Sequence, residues 1–257
     1  MHKARAENPN YGRPRIHLLL KEQNIHISSK TLDKVYAQEH MQLKLNKKGH
    51  SKYKFNDKLS PWENLLLTNK PDIPFDSLVT DGLIIKAGNQ SYHIAFVMDL
   101  YSRFIICYYI NIHEDGAFYN TLLNKLQKLL PNLPLGSKFH TDQGSVFTSK
   151  AFSDHVKELG FIPSMSKKGC PTDNAVIENF HGILQREIYI YLGINNFKNY
   201  EQLVYGIEKY VNYYLYKRIG NDNKTPFMRL LEGYKKDIDI SKITNYENLL
   251  KILKTKS

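Results

Sequence analysis

The stretch Ser77-Leu78-Val79-Thr80-Asp81-Gly82-Leu83-Ile84-Ile85 is an apolar run with one acid in its middle. Its Val, Ile and Leu suit a half-buried strand, whereas an aspartate there is unusual unless the site needs a carboxylate. Two runs of similar character follow, Tyr92–Leu100 and Arg103–Ile112. Ala87-Gly88-Asn89-Gln90 and the tight Tyr101-Ser102 link join them, so Leu78–Lys86, Tyr92–Leu100 and Arg103–Ile112 read as three antiparallel strands in two hairpins. Downstream the hydrophobic period changes. Asp115–Leu130 carries Phe118, Leu122, Leu126 and Leu129 on one side of a predicted helix. A short strand (Lys138–Thr141), a helix (Ser149–Leu159), a short strand (Phe161–Met165) and a helix from Asn174 to about Tyr191 complete the pattern.

Three antiparallel strands followed by alternating helix and strand predict an α/β fold class. The sheet is mixed and five-stranded, ribonuclease-H-like, and flanked by helices. On it Asp81 lies in the first strand at the middle of the sheet. Asp142, in His140-Thr141-Asp142-Gln143-Gly144, directly follows the fourth strand. Glu178 lies about one turn into the helix opened by Asp173-Asn174-Ala175-Val176-Ile177-Glu178-Asn179, where Asp173 or Asn174 is placed to cap. Three unpaired carboxylates brought together raise one another's pKa values, and a divalent cation removes that conflict. An all-oxygen set favours Mg²⁺, with Mn²⁺ as substitute, over Zn²⁺. Two such ions about 3.5–4 Å apart suit phosphodiester chemistry, because they stabilise the attacking and leaving oxygens. Spacing alone decides nothing in a chain with 25 acidic residues. The residues around each acid do.

The flanks add a second theme. Formal net charge is +11, and residues 1–58 hold 13 Lys/Arg against 5 Asp/Glu. A basic head on a near-neutral body suggests contact with a polyanion, solvated surface lysines being the plain alternative. The head reads as a helix-turn-helix-like module. Arg15–Lys21 places Ile16, Leu19 and Leu20 at helical spacing, and Ser28 or Ser29 precedes a helix with Leu32, Val35 and Tyr36 inward and Lys30 and Lys34 outward. Pro61, Pro71 and Pro74 mark a linker. The expected organisation is a basic helical module over 1–58, a linker over 59–75, a catalytic core over 76–193, and a C-terminal helical extension with a basic tail over 194–257. Tyr200–Tyr216 and Pro226–Tyr234 are the helices of that extension. No apolar run reaches the roughly 18 residues of a membrane span, and no secretory signal opens the chain, so a cytoplasmic, nucleoid-associated protein is expected. Cys107 reads as a buried thiol and Cys170 as a lone loop cysteine, so structural zinc is not expected.

The ordered runs resemble one family. Tyr11-Gly12-Arg13-Pro14-Arg15-Ile16, Val79-Thr80-Asp81, Val97-Met98-Asp99-Leu100-Tyr101-Ser102-Arg103 and His140-Thr141-Asp142-Gln143-Gly144-Ser145 match its motifs in order. So do Ser164-Met165-Ser166-Lys167-Lys168-Gly169, Asp173 to Phe180, Tyr213-Tyr214, Lys217-Arg218 and Thr225-Pro226. The chain is similar to bacterial insertion-sequence transposases of the OrfB type, in the insertion-sequence family numbered three, within the retroviral-integrase superfamily and its Asp-Asp-Glu catalytic core. That resemblance implies a DNA transposase, a polynucleotidyl transferase that cleaves and joins strands with Asp81, Asp142 and Glu178 as catalytic residues and metal ligands. It implies double-stranded DNA, both element ends and target, as partner. It also implies a homo-oligomer on DNA and an OrfA-type protein, or an OrfA segment of a fusion, whose reader would lie upstream of Tyr11. Residues expected to meet DNA are Arg13, Arg15, Lys30, Lys34, Gln143, Lys167, Lys168, Asn174, Gln185 and Arg186. The chain departs from the family pattern at Leu78, Leu83, Cys170-Pro171-Thr172 and Gln185. Those departures leave as alternative an inactive DNA-binding remnant or regulator of the element, and a host nuclease or junction resolvase on the same fold is a further rival.

Overall fold

A computed structural model of the protein describes residues 1–39, 41, 61–67, 71–130, 136–167 and 174–233. Five strands form one sheet in the order β3-β2-β1-β4-β5. β1 (Ser77–Ala87), β2 (Gln90–Asp99) and β3 (Ile105–Asn111) are antiparallel, while β4 (Lys138–Thr141) and β5 (Ile162–Met165) run parallel to β1. In β1 the first residues are buried on both faces. From Leu83 onward burial alternates, leaving Ile84 and Lys86 outside. The strand thus passes from the covered centre of the sheet to its rim.

Adjacent residues of β3 show the two layers, since neighbouring strand side chains point to opposite faces. Tyr109 meets Phe118 of α4 (Gly116–Leu129) at 5.2 Å between centroids. Tyr108 instead meets Phe96 at 5.7 Å, and Phe96 meets Phe180 of α6 (Ala175–Leu192) edge-on at 5.0 Å. α4 and α5 (Lys150–Glu158) therefore cover one face, and α6 and α7 (Tyr200–Tyr216) the other. Asp115, Ser149 and Asn199 accept N–H groups at the starts of α4, α5 and α7. Gly193, at φ 66°, ends α6 in the left-handed conformation that glycine adopts at little cost.

The third strand starts later than its apolar run suggests. Asp99 turns the chain by accepting the N–H groups of Phe75 and Ser102 and the Ser102 hydroxyl, and Arg103 then takes φ 68°. Regular pairing with β2 begins only at Ile105.

Around this core lie α1 (His2–Glu7), which the sequence reading did not anticipate, α2 (Arg13–Glu22), α3 (Ser29–Gln38) and α8 (Pro226–Gly233). One hydrophobic core runs from Ala4 to Leu230. A buried polar knot joins the N-terminal helices to α6 and α7. Glu187 accepts from Arg218 at 2.7 and 2.8 Å, from Tyr210 at 3.0 Å and from Asn10 at 3.0 Å. The Tyr11 hydroxyl donates to the Lys217 carbonyl and accepts the Ile219 N–H, both at 2.9 Å. Among the described residues no helix is long and apolar enough to cross a membrane.

Candidate active site

Strand register puts the first two acids side by side. β1 and β4 pair in parallel, Val79 with His140, so Asp81 and Asp142 stand two residues further along adjoining chains where the strands part. The two carboxylates stand close enough to interact, the Asp142 charge helping to raise the pKa of Asp81. Asp81 Oδ1 accepts the Gly82 N–H at 2.9 Å, and Asp142 Oδ1 accepts the Gly144 N–H at 2.8 Å. The third acid, Glu178, is exposed in the first turn of α6. Helical periodicity sets Asn174, Glu178, His181 and Gln185 along one face of that helix. The His181 Nδ1 comes within 3.5 Å of Asp81 Oδ2, so this face is turned to β1.

All three carboxyls titrate high. Burial pushes Asp81 up to about 7, reinforced by Asp142, Glu178 and Glu114 against the Gly82 N–H. Burial also raises Asp142, opposed by the Gly144 N–H and helped by Glu114. Glu178 is raised by partial burial and by Asp142. Among the described residues no three His, Cys, Asp or Glu side chains stand close enough to form a ligand set as they lie. The donor chemistry still fits a hard divalent cation, because like charges crowd here with only carboxylate oxygens from the three acids.

Sequence reasoning missed Glu114. Its Oε1 accepts from the Tyr119 hydroxyl at 2.5 Å, and its Oε2 lies 2.8 Å from His93 Nδ1. A Cβ on Gly82 would collide with Glu114 Oε1, so the glycine next to Asp81 leaves room for this fourth acid where it lies. Glu114 lies in the turn before α4, and nothing in its local sequence separates it from surface charge.

Other expectations need correcting. Asn174 occupies the N-cap of α6 but makes no side-chain cap bond, and its buried amide has no hydrogen-bond partner among the described residues. Asp173, the other capping candidate, lies outside the described residues, as do Lys168 and Cys170. His140 is held between hydroxyls, with Ser164 and Ser166 Oγ each 2.9 Å away. Gln143 is half-buried beside Asp142, Gln185 is half-buried on the Glu178 face, and Arg186 and Lys167 are exposed. Lys30 and Lys34 are exposed on α3, and Arg13 pairs with Asp33. Arg15 turns inward, 3.4 Å from Glu187. Cys107 is buried, its thiol pushed up to about 12 by desolvation.

Residues 71–171 match the integrase core domain family. The chain is 30% identical over 224 residues to the transposase for insertion sequence element IS904 of Lactococcus lactis subsp. lactis, covering 84% of this chain and 85% of that protein. The chain belongs to the insertion-sequence transposases. InsK of insertion sequence element IS150 in Escherichia coli K12 is 25% identical to this transposase over 210 residues, covering 82% of this chain and 73% of InsK. In architecture the transposase is similar to a chain of the simian T-cell lymphotropic virus intasome in complex with PP2A regulatory subunit B56 gamma. The TM-score is 0.53 at 15% identity, covering 85% of this chain and 74% of that one. The expected ribonuclease-H-like, integrase-core sheet is thus the fold observed.

Proposed function

We propose that Asp81, Asp142 and Glu178 hold divalent cations, Mg²⁺ or Mn²⁺, and that the transposase cleaves and joins DNA strands there. The observation that carries this is geometric: β1 and the end of β4 set Asp81 and Asp142 on adjoining chains, and the α6 face that bears Glu178 brings His181 Nδ1 to 3.5 Å from Asp81 Oδ2. Bound ions would neutralise the cluster and stabilise the oxygens that attack and leave phosphorus. The chain's own part is to hold the three acids on rigid elements. Backbone N–H groups of Gly82 and Gly144 fix one oxygen of each aspartate and leave the other turned to the site.

Substrate and partners follow from the same reading. Double-stranded DNA, first as element end and then as target, is the strand donor and acceptor. Gln143, Lys167, Asn174, Gln185 and Arg186 flank the acids along the sheet edge and α6, and we place DNA across them, with Lys168, next to Lys167 in sequence and outside the described residues, as a further contact. Lys30, Lys34 and Arg13 offer further cationic contact on the N-terminal helices. We expect a homo-oligomer on DNA, an OrfA-type partner that reads the terminal repeats, and a site of action in the cytoplasm on the nucleoid.

A strand-transfer assay tests this. Purified protein would meet labelled DNA bearing the element's own terminal repeat, with Mg²⁺ or Mn²⁺, beside Asp142→Asn as control. Joined product from the wild type and none from the variant supports the assignment. Equal product from both would overturn it. Hydrolysed strands without joining would favour a nuclease, and no product even with the OrfA partner added would favour the inactive remnant.

A further inference from the structure

Four arginines from four separate parts of the chain open onto one cavity of about 510 Å³ between the β2–β3 turn, α6 and the α7–α8 loop. Arg103 comes from the turn, Arg15 from α2, Arg218 from just after α7 and Arg229 from α8, while Asn179 and Tyr101 complete the part of the wall that matters here. Two carboxylates answer them. Glu187 takes Arg218 through both its oxygens, with Arg15 at 3.4 Å, and Asp222 takes Arg229 at 2.7 and 2.8 Å. Asp99 lies near Arg103, but its oxygens are taken by Ser102 and the Phe75 N–H. That leaves the Arg103 guanidinium with no hydrogen bond or ion pair among the described residues, and the Arg15 Nε, although buried, likewise without a partner. The like charges repel: Arg229 lowers the pKa of Arg103, and Arg218 that of Arg15, each adding to desolvation.

An unpaired guanidinium, with a second whose Nε is free, in a walled cavity is what an anion with several oxygens requires, since the arginine fork matches phosphate geometry. The backbone supports the same reading. Arg103 is held at φ 68°, a region non-glycine residues seldom occupy, by its N–H bond to the Asp99 carbonyl at 2.9 Å and the Asp99 carboxylate turn. That arrangement aims one uncompensated cation at the cavity.

We infer that this cavity binds a phosphate group, a phosphodiester of a DNA strand that also meets the carboxylate site. Asn179 in the cavity wall neighbours Glu178 in sequence, so a strand held here is tied to the helix that bears the third acid. The inference rests on the strand-transfer reading for the identity of its ligand, but its test does not depend on catalysis.

The test measures binding of the full chain to a labelled duplex oligonucleotide between about 50 and 200 mM salt, the range over which phosphate contacts dominate affinity. Arg103→Asn removes the charge and keeps a residue type that tolerates left-handed backbone. Its affinity should fall roughly 3- to 10-fold, and the slope of log affinity against log salt should become shallower by about 0.9, one phosphate contact. Arg103→Lys should restore the slope. Inorganic phosphate, against chloride at matched ionic strength, should raise the unfolding temperature of the wild type and of Arg103→Lys but not of Arg103→Asn. Loss of the phosphate effect with an unchanged DNA slope would retain the phosphate site and assign it to a free phosphate rather than to DNA. Unchanged slope and unchanged phosphate effect would overturn the inference. If Arg103→Asn unfolds, the restored slope of Arg103→Lys against a charge-neutral Arg103→Gln decides. Failure to join DNA with these effects present would count against the carboxylate reading alone, and joining with them absent against the cavity alone.

Discussion

Helix α6 carries two glutamates in opposite electrostatic conditions. Glu187 is 7% exposed, yet Arg218 and Arg15 and the Tyr210 hydroxyl bring its pKa below the ordinary value against the pull of burial. Glu178, nine residues earlier, is exposed and still titrates high, because burial of part of its side chain and Asp142 both work against its charge. A buried acid surrounded by cations holds helices together, and taking away its charge strands those cations. An accessible acid crowded by other acids gains nothing for the fold and is suited to a cation that arrives later. The same residue type on one helix thus marks a structural knot at one end and the proposed reactive centre at the other.

Substituting the two glutamates is the sharpest way to break that contrast. Glu178→Gln should lower strand joining by at least about 10²–10³-fold, the order seen when one preorganised charge-stabilising group is removed. Its stability should stay within about 0.5 kcal/mol of wild type, as for other exposed positions. Gel assays of joined product and denaturant unfolding check the two halves. Glu187→Gln should do the reverse. It leaves Arg218 and Arg15 facing each other in the interior and should cost about 3–5 kcal/mol, lowering the unfolding temperature by on the order of 10 °C. A Glu187→Gln protein as stable as wild type would mean that the knot is not what docks α2 on α6 and α7.

The aspartates give a pH-dependent test. With no metal, Asp81 titrates at about 7 in the fold, well above the ordinary aspartate value of 3.8. The fold therefore favours the protonated acid. Its contribution to stability is full below about pH 4, where the unfolded acid is also protonated. It is lost as pH rises through about 7. Metal-free protein should accordingly lose unfolding temperature between those values and level off above them. Mg²⁺ added at the alkaline end should restore roughly 5 °C by binding only the folded form, and Asp81→Asn should flatten the profile and remove the Mg²⁺ response. Calorimetry in EDTA and in Mg²⁺ measures this, and a flat wild-type profile would contradict the proposed crowding.

What the sequence revealed depended on how local each signal was. The strands and most helices were legible because alternation in Leu83–Ala87 and the apolar stripe of α4 are properties of consecutive residues. The placement of Asp142 near Asp81 was legible because it directly follows the fourth strand, which this topology sets beside the first. Glu187 was not, since its partners Arg15 and Arg218 lie 172 and 31 residues away and a mid-helix glutamate reads as surface charge. For the same reason Arg15, expected on DNA, proved to face inward. Helix α1 escaped because six residues with one buried alanine, Ala4, carry no period.

Glu114 sharpens the contrast at its finest grain, because it combines both conditions. Like Glu187 it is hydrogen-bonded, to Tyr119 and beside His93, and like Glu178 it raises the acids near it. No arginine or lysine pairs with it among the described residues, so its charge adds to the field at Asp81 and Asp142. Glu114→Gln keeps a side chain that can still meet the Tyr119 hydroxyl and the His93 ring. It should let both aspartates ionise at lower pH. If strand joining uses them ionised, as proposed, the acid limb of its pH–rate profile should move down by up to about one unit. The maximal rate should change by about 10-fold or less, at the low end for a partner that acts through a ligand rather than as one. Glu114→Ala removes the hydrogen bonds as well, so a larger fall in rate there, with the same shift in the acid limb, would separate positioning from charge. An acid limb unmoved in both variants would place Glu114 with Glu187, as a structural acid, rather than with the site.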